Sequence, residues 1–486
     1  MSWMPDTQSE EPVFMQIVHY LEELIINNKL LPGALLPTER ELAQRFAVNR
    51  STVTAAYDQL KSSGFICSVQ GSGTRVSDSL WGVQPTRSPN WQYFNNEGYF
   101  FPALPLLERI REAARLPDMV DLSLGVLSED LLPTERYQAI LDTLQLKGML
   151  NHTGPRGLLS LRDAITDHLE AHYAIRTTPE HILVTAGAEH AMYLITHRLL
   201  NPGDAIAIEQ PSYIYSRALF RTAGLRLYPI PMDHDGLIPE ELHKQCLKHR
   251  IRMVIMNPTH HNPTGTSLSL LRRKQALSIC DKLRIPIVED DPYGALRHPH
   301  ANQAPLPLMS LSSDNPNTIY IGTLTKSAAP GFQTGWIAAP RVVIHKLADA
   351  KAKMGFQTHA VGEQIAAQYL SSGSWAQHVA FLNAALESRC QMMIHALNRY
   401  CGEFITFTQP DGGYYIWCRM KFVIPDKEFL EHGIKRGILI MPSSIFGAEK
   451  GSFRLTFASQ NEDRIEEGIK RLGAMLAEIS TRVSTC

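Results

Sequence analysis

The chain is 486 residues long, 44% hydrophobic and 20% charged, which exceeds one ordinary domain and predicts two or three. A formal net charge of −1 excludes whole-chain attraction to nucleic acid or to an anionic membrane, so any nucleic-acid binding has to come from a local patch. Seven scattered cysteines form no CxxC pair and stand in no histidine pattern; they argue for a reducing compartment and against a disulfide framework or a metal site.

The N-terminus, MSWMPDTQSEEP, is too acidic and polar for a signal peptide, and no apolar run is long enough to span a bilayer. A cytoplasmic protein without membrane contact is expected. Organisation changes near residue 78, so residues 1–77 are read as a first module. Residues 78–118, rich in proline, asparagine, serine and aromatics without a sustained period, are read as a linker. Residues 119–486 are read as a second module.

In the first module, Val13, Ile17, Leu21, Leu24 and Ile25 recur at helical spacing, and Pro32 and Gly33 end that helix. Thr38 followed by Glu41 is a capping-box pattern opening a second helix, TERELAQRF. After the short turn AVN comes a third helix, RSTVTAAYDQLKSSG, and then FICSVQGSGTRVS, which reads as two short strands around Gly71 and Gly73. Two helices joined by a tight turn and followed by a β-wing make a winged helix-turn-helix. The first turn of the recognition helix offers Asn49, Arg50, Ser51 and Thr52 to a major groove; Arg50 can reach guanine with two hydrogen bonds, and the hydroxyls suit phosphates. Arg40 on the preceding helix and Gln70 at the wing tip are further DNA-binding candidates.

Charge alone supports this weakly. Residues 1–77 carry six Lys/Arg against eight Asp/Glu, and residues 38–77 are only +2, so a three-helix interaction module is the other reading. The motif favours DNA. The string GALLPTERELA, then VNRSTV, AYDQL and GFI, resembles the winged-helix domain of GntR-type bacterial regulators almost position by position.

The second module alternates apolar runs (HILVTAG, DAIAIEQ, RMVIMNP, IPIVEDD, NTIYIGTL, GWIAAP) with helical segments, which predicts an α/β domain with a mostly parallel sheet. Polar residues sit at the ends of these runs. Lys326 follows NTIYIGTL, with Thr323 and Thr325 beside it. Asp290 ends IPIVED, and a buried aspartate there can hold a pyridine nitrogen protonated so that the ring acts as an electron sink. Tyr293 and Asn262 can bond a ring's phenolic oxygen, and Tyr213 offers a flat face. Gly187 stands at a strand-to-helix turn, where backbone N–H groups bind phosphate. Arg454 suits a bidentate grip on a carboxylate. Each feature alone has an ordinary reading, Tyr213 as core and Arg454 as a surface ion pair.

Together, in this order from DLSLGVLSEDLLP to RLTFAS, they resemble the fold-type I aminotransferases that bind pyridoxal 5′-phosphate (PLP). The resemblance implies a multidomain chain: a winged helix-turn-helix, then an α/β PLP-dependent transferase domain with a smaller C-terminal α+β subdomain over 341–486. It implies that Lys326 forms the Schiff base with PLP, Asp290 pairs with the pyridine nitrogen, and Asn262 and Tyr293 serve the phenolic oxygen. Tyr213 would stack on the ring, Gly187, Ala188, Thr323 and Thr325 would serve the phosphate, and Gly125 and Arg454 would lie near a substrate or effector carboxylate.

A GntR-type winged helix fused to such a domain is the arrangement of the MocR regulators, and the chain resembles that subfamily over nearly its full length. The subfamily implies a homodimer that binds a double-stranded DNA operator and a small-molecule effector. The pattern breaks at one end of the site. Gln333 replaces the usual phosphate-gripping arginine, His152 stands where a tyrosine is usual, and Ala188-Glu189 replaces Ser/Thr-Gln. The leading expectation is a regulator that senses PLP, or a small amine or amino acid. The alternatives are an active PLP-dependent aminotransferase with a DNA-binding head, and a regulator whose large domain works without PLP.

Overall fold

In the first unit, α1 (Val13–Ile26) buries Ile17, Val18, Leu21 and Ile25 on one stripe, as their spacing requires. The capping box forms at α2 (Glu39–Phe46): the Thr38 hydroxyl accepts from the Glu41 N–H, and the Glu41 carboxylate accepts from the Thr38 N–H at 2.9 Å. The turn out of α2 passes through Ala47 in the left-handed region, and Asn49 caps α3 (Arg50–Ser62) through its side-chain oxygen. Strands β1 (Ile66–Val69) and β2 (Gly73–Val76) pair antiparallel as the wing, and Leu35 adds a bridge to Arg75 beside it. Phe46, Val53, Tyr57, Leu60, Phe65 and Val76 close the core, with the Tyr57 hydroxyl donating to the Pro37 carbonyl at 2.7 Å.

The computed structural model describes residues 3–27, 29–69, 73–77, 104–145, 154–301, 305–312, 317–328, 330–355 and 358–484. The chain divides into two units, Met1–Phe101 and Pro102–Cys486. The later part of the segment expected as linker contains the helix Pro105–Ala113, whose Ile110 and Ala113 are buried in a cluster with Leu430, Leu439 and Phe446.

The second unit is built on an eight-stranded sheet. Its strands are β4 (Ile182–Thr185), β5 (Ala205–Gln210), β6 (Arg226–Asp233), β7 (Gly236–Leu237), β8 (Met253–Met256), β9 (Ile287–Asp290), β10 (Thr318–Thr323) and β11 (Gly335–Ala338). Their order is β4-β11-β10-β9-β8-β5-β6-β7. The run from β10 through β9, β8 and β5 to β6 is parallel, whereas β11 is antiparallel to both of its neighbours and β7 is antiparallel to β6. Residues of β4, β8, β9, β10 and β11 are all buried, the condition of strands covered by helices on both faces. This is the mostly parallel sheet that the alternating apolar runs predict. The carboxyl ends of parallel strands open together, and open α/β sheets hold their ligands there.

A short β3 (Val120–Asp121) pairs parallel with β14 (Ile438–Leu439). The four-stranded antiparallel sheet β12 (Ile405–Phe407), β13 (Tyr415–Met420), β16 (Ser452–Thr456) and β15 (Met441–Pro442) packs with the helices Ser374–Cys401 and Glu462–Ser484 around Phe453, Leu455, Ile469 and Leu472. Among the described residues no helix is long and apolar enough to cross a membrane, and no cluster of metal-ligating residues occurs.

Candidate functional site

Strand ends bring the site together. A cavity of about 770 Å³ is lined by Lys326, Asp290, Tyr293, Asn262, Tyr213 and Arg454, and Gly125, Gly187, Ala188, Thr323 and Thr325 also border it. All eleven residues that the sequence assigns to cofactor or ligand in the second module therefore face one space.

Asp290 ends β9 and is 3% exposed. Its Oδ2 accepts from the Tyr213 hydroxyl at 2.5 Å, and its Oδ1 is buried without a partner among the described groups. Burial raises its pKa to about 7; the Tyr213 hydrogen bond works in the opposite direction. Tyr213, expected as a stacking face, thus also engages the carboxylate through its hydroxyl. Behind both stands Asn257 at the end of β8. Its Nδ2 donates to the Asp290 carbonyl at 2.8 Å, its Oδ1 accepts from the Asn262 N–H at 2.8 Å, and its own N–H donates to buried Glu209 at 2.7 Å. Asn257 therefore fixes Asp290 and Asn262 relative to each other.

Lys326 Nζ donates to the Gly125 carbonyl at 2.5 Å. Burial lowers its pKa, Arg454 and Arg217 push the same way, and Tyr415 and Asp290 oppose them. A buried amine with weakened proton affinity is the state in which lysine becomes nucleophilic near neutral pH. The Lys326 carbonyl accepts from the Tyr414 hydroxyl, which anchors the backbone under the amine.

Arg454, on β16, is buried against two aromatic rings, its guanidinium 4.2 Å from the Tyr415 ring centroid and 5.0 Å from that of Phe446. Nη1 donates to Asn262 Oδ1 at 2.7 Å and Nη2 to the Ser123 carbonyl at 2.5 Å, while Nε is buried with no partner among the described residues.

At the opposite end, Gly187 begins the helix Gly187–Leu199 with φ +77°, and a side chain there would fill the space between the Thr325 hydroxyl and the Gln333 carbonyl. The Thr323 hydroxyl donates to Thr325 Oγ1 and lies within bonding distance of the Thr334 carbonyl, both at 2.9 Å. Gln333 is exposed, with φ +43°. Glu189 is paired with Arg217, whose Nε lies 2.9 Å from its Oε1. His152 lies outside the described residues, as does Gln70 of the wing.

In the head, Arg40, Asn49, Arg50 and Ser51 are exposed and Thr52 is half-buried. The Arg50 side chain is 70% exposed, and its Nε and Nη2 donate to Glu39 Oε2 at 3.3 and 3.1 Å. Asn49 spends its side-chain oxygen on the Ser51 N–H as helix cap.

Sequence reasoning missed Tyr415, Tyr414, Arg217, Ser123 and Asn257. The two tyrosines follow a Gly-Gly pair in DGGYYIW and read as strand core; Arg217, four residues after Tyr213, carries no motif of its own.

Residues 117–472 match the aminotransferase class I and II family, and residues 15–76 match the gntR family of bacterial regulatory proteins. Over 97% of this chain and 98% of the relative, it is 32% identical to an uncharacterized HTH-type transcriptional regulator, YdfD, of Bacillus subtilis (strain 168). The HTH-type transcriptional regulator NorG of Staphylococcus aureus (strain USA300) is 26% identical over 90% of this chain and 98% of its own length. Among solved structures, kynurenine aminotransferase of Pyrococcus horikoshii, in complex with PMP, superposes with a TM-score of 0.75 at 28% identity, covering 80% of this chain and 98% of that one.

Proposed function

This chain belongs to the MocR-type regulators, a gntR-family helix-turn-helix head fused to an aminotransferase class I and II domain, and on that footing we propose that its large domain is a sensor of PLP and of a small amine or amino acid. The chain is a transcription regulator by family; the sensing role is the reading argued next.

The residues fit PLP. The observation that carries the reading is the buried, unpartnered Oδ1 of Asp290, an acceptor left for one more N–H, in the same cavity as the Lys326 amine. Asp290 would hold the pyridine nitrogen, Tyr293 and Asn262 the phenolic oxygen, Tyr213 the ring face, and Gly187, Ala188, Thr323 and Thr325 the phosphate. When bound, the cofactor supplies an electron sink and a carbonyl for covalent attachment to Lys326.

The chain's own residues do the rest. Burial brings Asp290 to about 7, near neutrality, and a cation beside it favours the carboxylate. Lys326 is held in place by Gly125 and is deprotonated more easily than a surface lysine. Arg454 meets a ligand carboxylate, held by Asn262, which accepts from its Nη1. Exposed Gln333 brings no cation to the phosphate end, and Glu189 brings an acid held by Arg217. A ring site fully equipped and a phosphate site thinly equipped suit reversible occupancy, which a sensor uses, better than permanent loading, which a catalyst needs.

In the head, Arg40, Asn49, Arg50, Ser51 and Thr52 are the DNA-reading residues of the proposal, with the chain acting as a homodimer on an operator. Ligand and operator are then coupled, because a ligand favouring one arrangement of the heads shifts the population toward it.

The test is the absorbance and intact mass of purified protein with added PLP, before and after borohydride reduction, beside Lys326→Ala. A visible band and a mass increase on Lys326, both absent from the variant, are expected. Protein that stays colourless and unmodified rejects the PLP reading. Amino-group transfer well above that of free PLP, across a panel of amino donors and oxo acids, rejects the sensor in favour of an enzyme.

A further inference from the structure

Tyr415 has no role in the reading above, yet it meets Gly125, Tyr293 and Arg454, all of which border the same cavity as Lys326. Its hydroxyl lies against Gly125 so closely that a side chain at position 125 would overlap it, and the Gly125 carbonyl is the acceptor for the Lys326 amine. The same hydroxyl is 2.9 Å from Tyr293 Oη. The Arg454 guanidinium covers the ring face, Tyr414 meets its edge 5.9 Å away, and Arg217 acts from across the cavity. One phenol thus connects the amine, the carboxylate-binding arginine and the tyrosine assigned to the cofactor's phenolic oxygen.

We infer that Tyr415 is a positioning residue for Lys326: paired with Tyr293, it is the phenol that carries negative charge between the cations Arg454 and Lys326, and it sets which group beside the amine holds a proton. With Tyr415 ionised, Tyr293 donates its hydrogen to it, and the phenolate answers two cations in a buried space. With both phenols protonated, those two cations lose the phenolate as a counter-charge, and Asp290 alone of the groups acting on Lys326 still favours its charged form, an arrangement that burial penalises.

The electrostatics run the same way. Burial alone pushes the Tyr415 hydroxyl up, but Arg454 and Lys326, with the hydrogen bond from Tyr293, bring it below the ordinary tyrosine value. Tyr293 moves in the opposite direction, raised by burial and then by Tyr415. Tyr415 in turn holds the proton affinity of Lys326 up against burial and the two arginines. Removing only its hydroxyl should leave Lys326 more readily deprotonated. The inference rests on Lys326 being the reactive amine of the proposed sensor.

Two readouts separate its failure from failure of that reading. In the first, the near-ultraviolet tyrosinate band of the full chain without added ligand is followed on raising pH, for wild type, Tyr415→Phe and Tyr293→Phe. Wild type should contain one phenol that ionises below the range of free tyrosine; Tyr415→Phe should lose it, and Tyr293→Phe should keep it at higher pH. If the phenol lost in Tyr415→Phe ionises at or above the ordinary range, the inference is overturned. In the second, PLP is trapped on Lys326 with borohydride at a series of pH values and read by mass. The pH midpoint of trapping should fall by about 1 unit in Tyr415→Phe, and coincident midpoints overturn the inference. Absence of trapping in wild type sinks the PLP reading alone, because the tyrosinate titration still judges the phenol pair.

Discussion

Glu189 and Arg217 are ion-paired, the carboxylate 2.9 Å from the arginine Nε, at the border of the cavity where the helix Gly187–Leu199 begins. The pair answers the question that an acid in this position raises. Its charge, which would oppose a phosphate at the helix N-terminus, is held by a neighbouring cation that also acts on Lys326, Asp290 and Tyr415. The proposed phosphate end therefore lacks a cation at Gln333 but is less hostile to an anion than the bare sequence suggests.

Gln333→Arg should tighten PLP binding. A charged hydrogen bond to the phosphate contributes about 1.5–3 kcal/mol, or roughly ten- to a hundredfold in affinity. Titration of the visible absorbance of wild type and variant with PLP measures it; equal affinities would remove residue 333 from the phosphate site.

Asp290→Asn should make the protein without added ligand more stable at alkaline pH than at acid pH, relative to wild type. The folded pKa of Asp290, about 7, lies above the ordinary carboxyl value of 3.8, so the folded state holds a proton that the unfolded state has released. Stability from this group is fully present below about pH 4 and is lost as pH rises through 7, and the asparagine does not suffer that loss. Thermal denaturation at about pH 5 and about pH 8, without added PLP, should show the gain at the higher pH; an equal effect at both would contradict the assignment.

Arg50→Ala should weaken operator binding by about 1–3 kcal/mol if Arg50 reads a base, and the remaining affinity should still fall as salt rises. Glu39 holds Arg50 in the free head, so Glu39→Gln should strengthen binding by releasing it. Fluorescence anisotropy with an operator duplex selected from a random library tests both. Unchanged binding by Arg50→Ala removes it from base reading.

Thr38→Ala should destabilise the head by about 1 kcal/mol, the usual effect of losing a helix cap. Half of the capping box goes with the hydroxyl, while the Glu41 carboxylate keeps the Thr38 N–H. Hydrogen exchange of α2 amides in the full chain reads this locally, and unchanged protection would show that the cap contributes little.

Much of this architecture is legible in the sequence because the signals are local. Thr38 and Glu41 announce α2, and the Val/Ile runs announce five fully buried strands together with β5, buried at all but its last residue. β6 escapes notice because Pro229 and Pro231 lie within it, which normally argues against a strand; it tolerates them beside an edge pair as short as β7. The helix Pro105–Ala113 hides in a stretch of linker-like composition because its partners, Leu430 and Leu439, lie more than three hundred residues away. The site divides in the same way. Residues at strand ends, such as Asp290 and Lys326, are visible from position, whereas Tyr415 sits inside a strand and gains its meaning only from what folding brings against it.

One loop carries a mechanical consequence. Between β3 and the helical turn Glu129–Leu131, the chain offers the Ser123 carbonyl to Arg454 and the Gly125 carbonyl to Lys326, so a few residues fasten the four-stranded sheet to the eight-stranded one. When Lys326 turns to another partner, one of those two fastenings is released. The loop follows β3 directly, and the helix Pro105–Ala113 precedes β3 in the chain. A chemical event at a single nitrogen thereby decides whether this loop keeps both of its anchors.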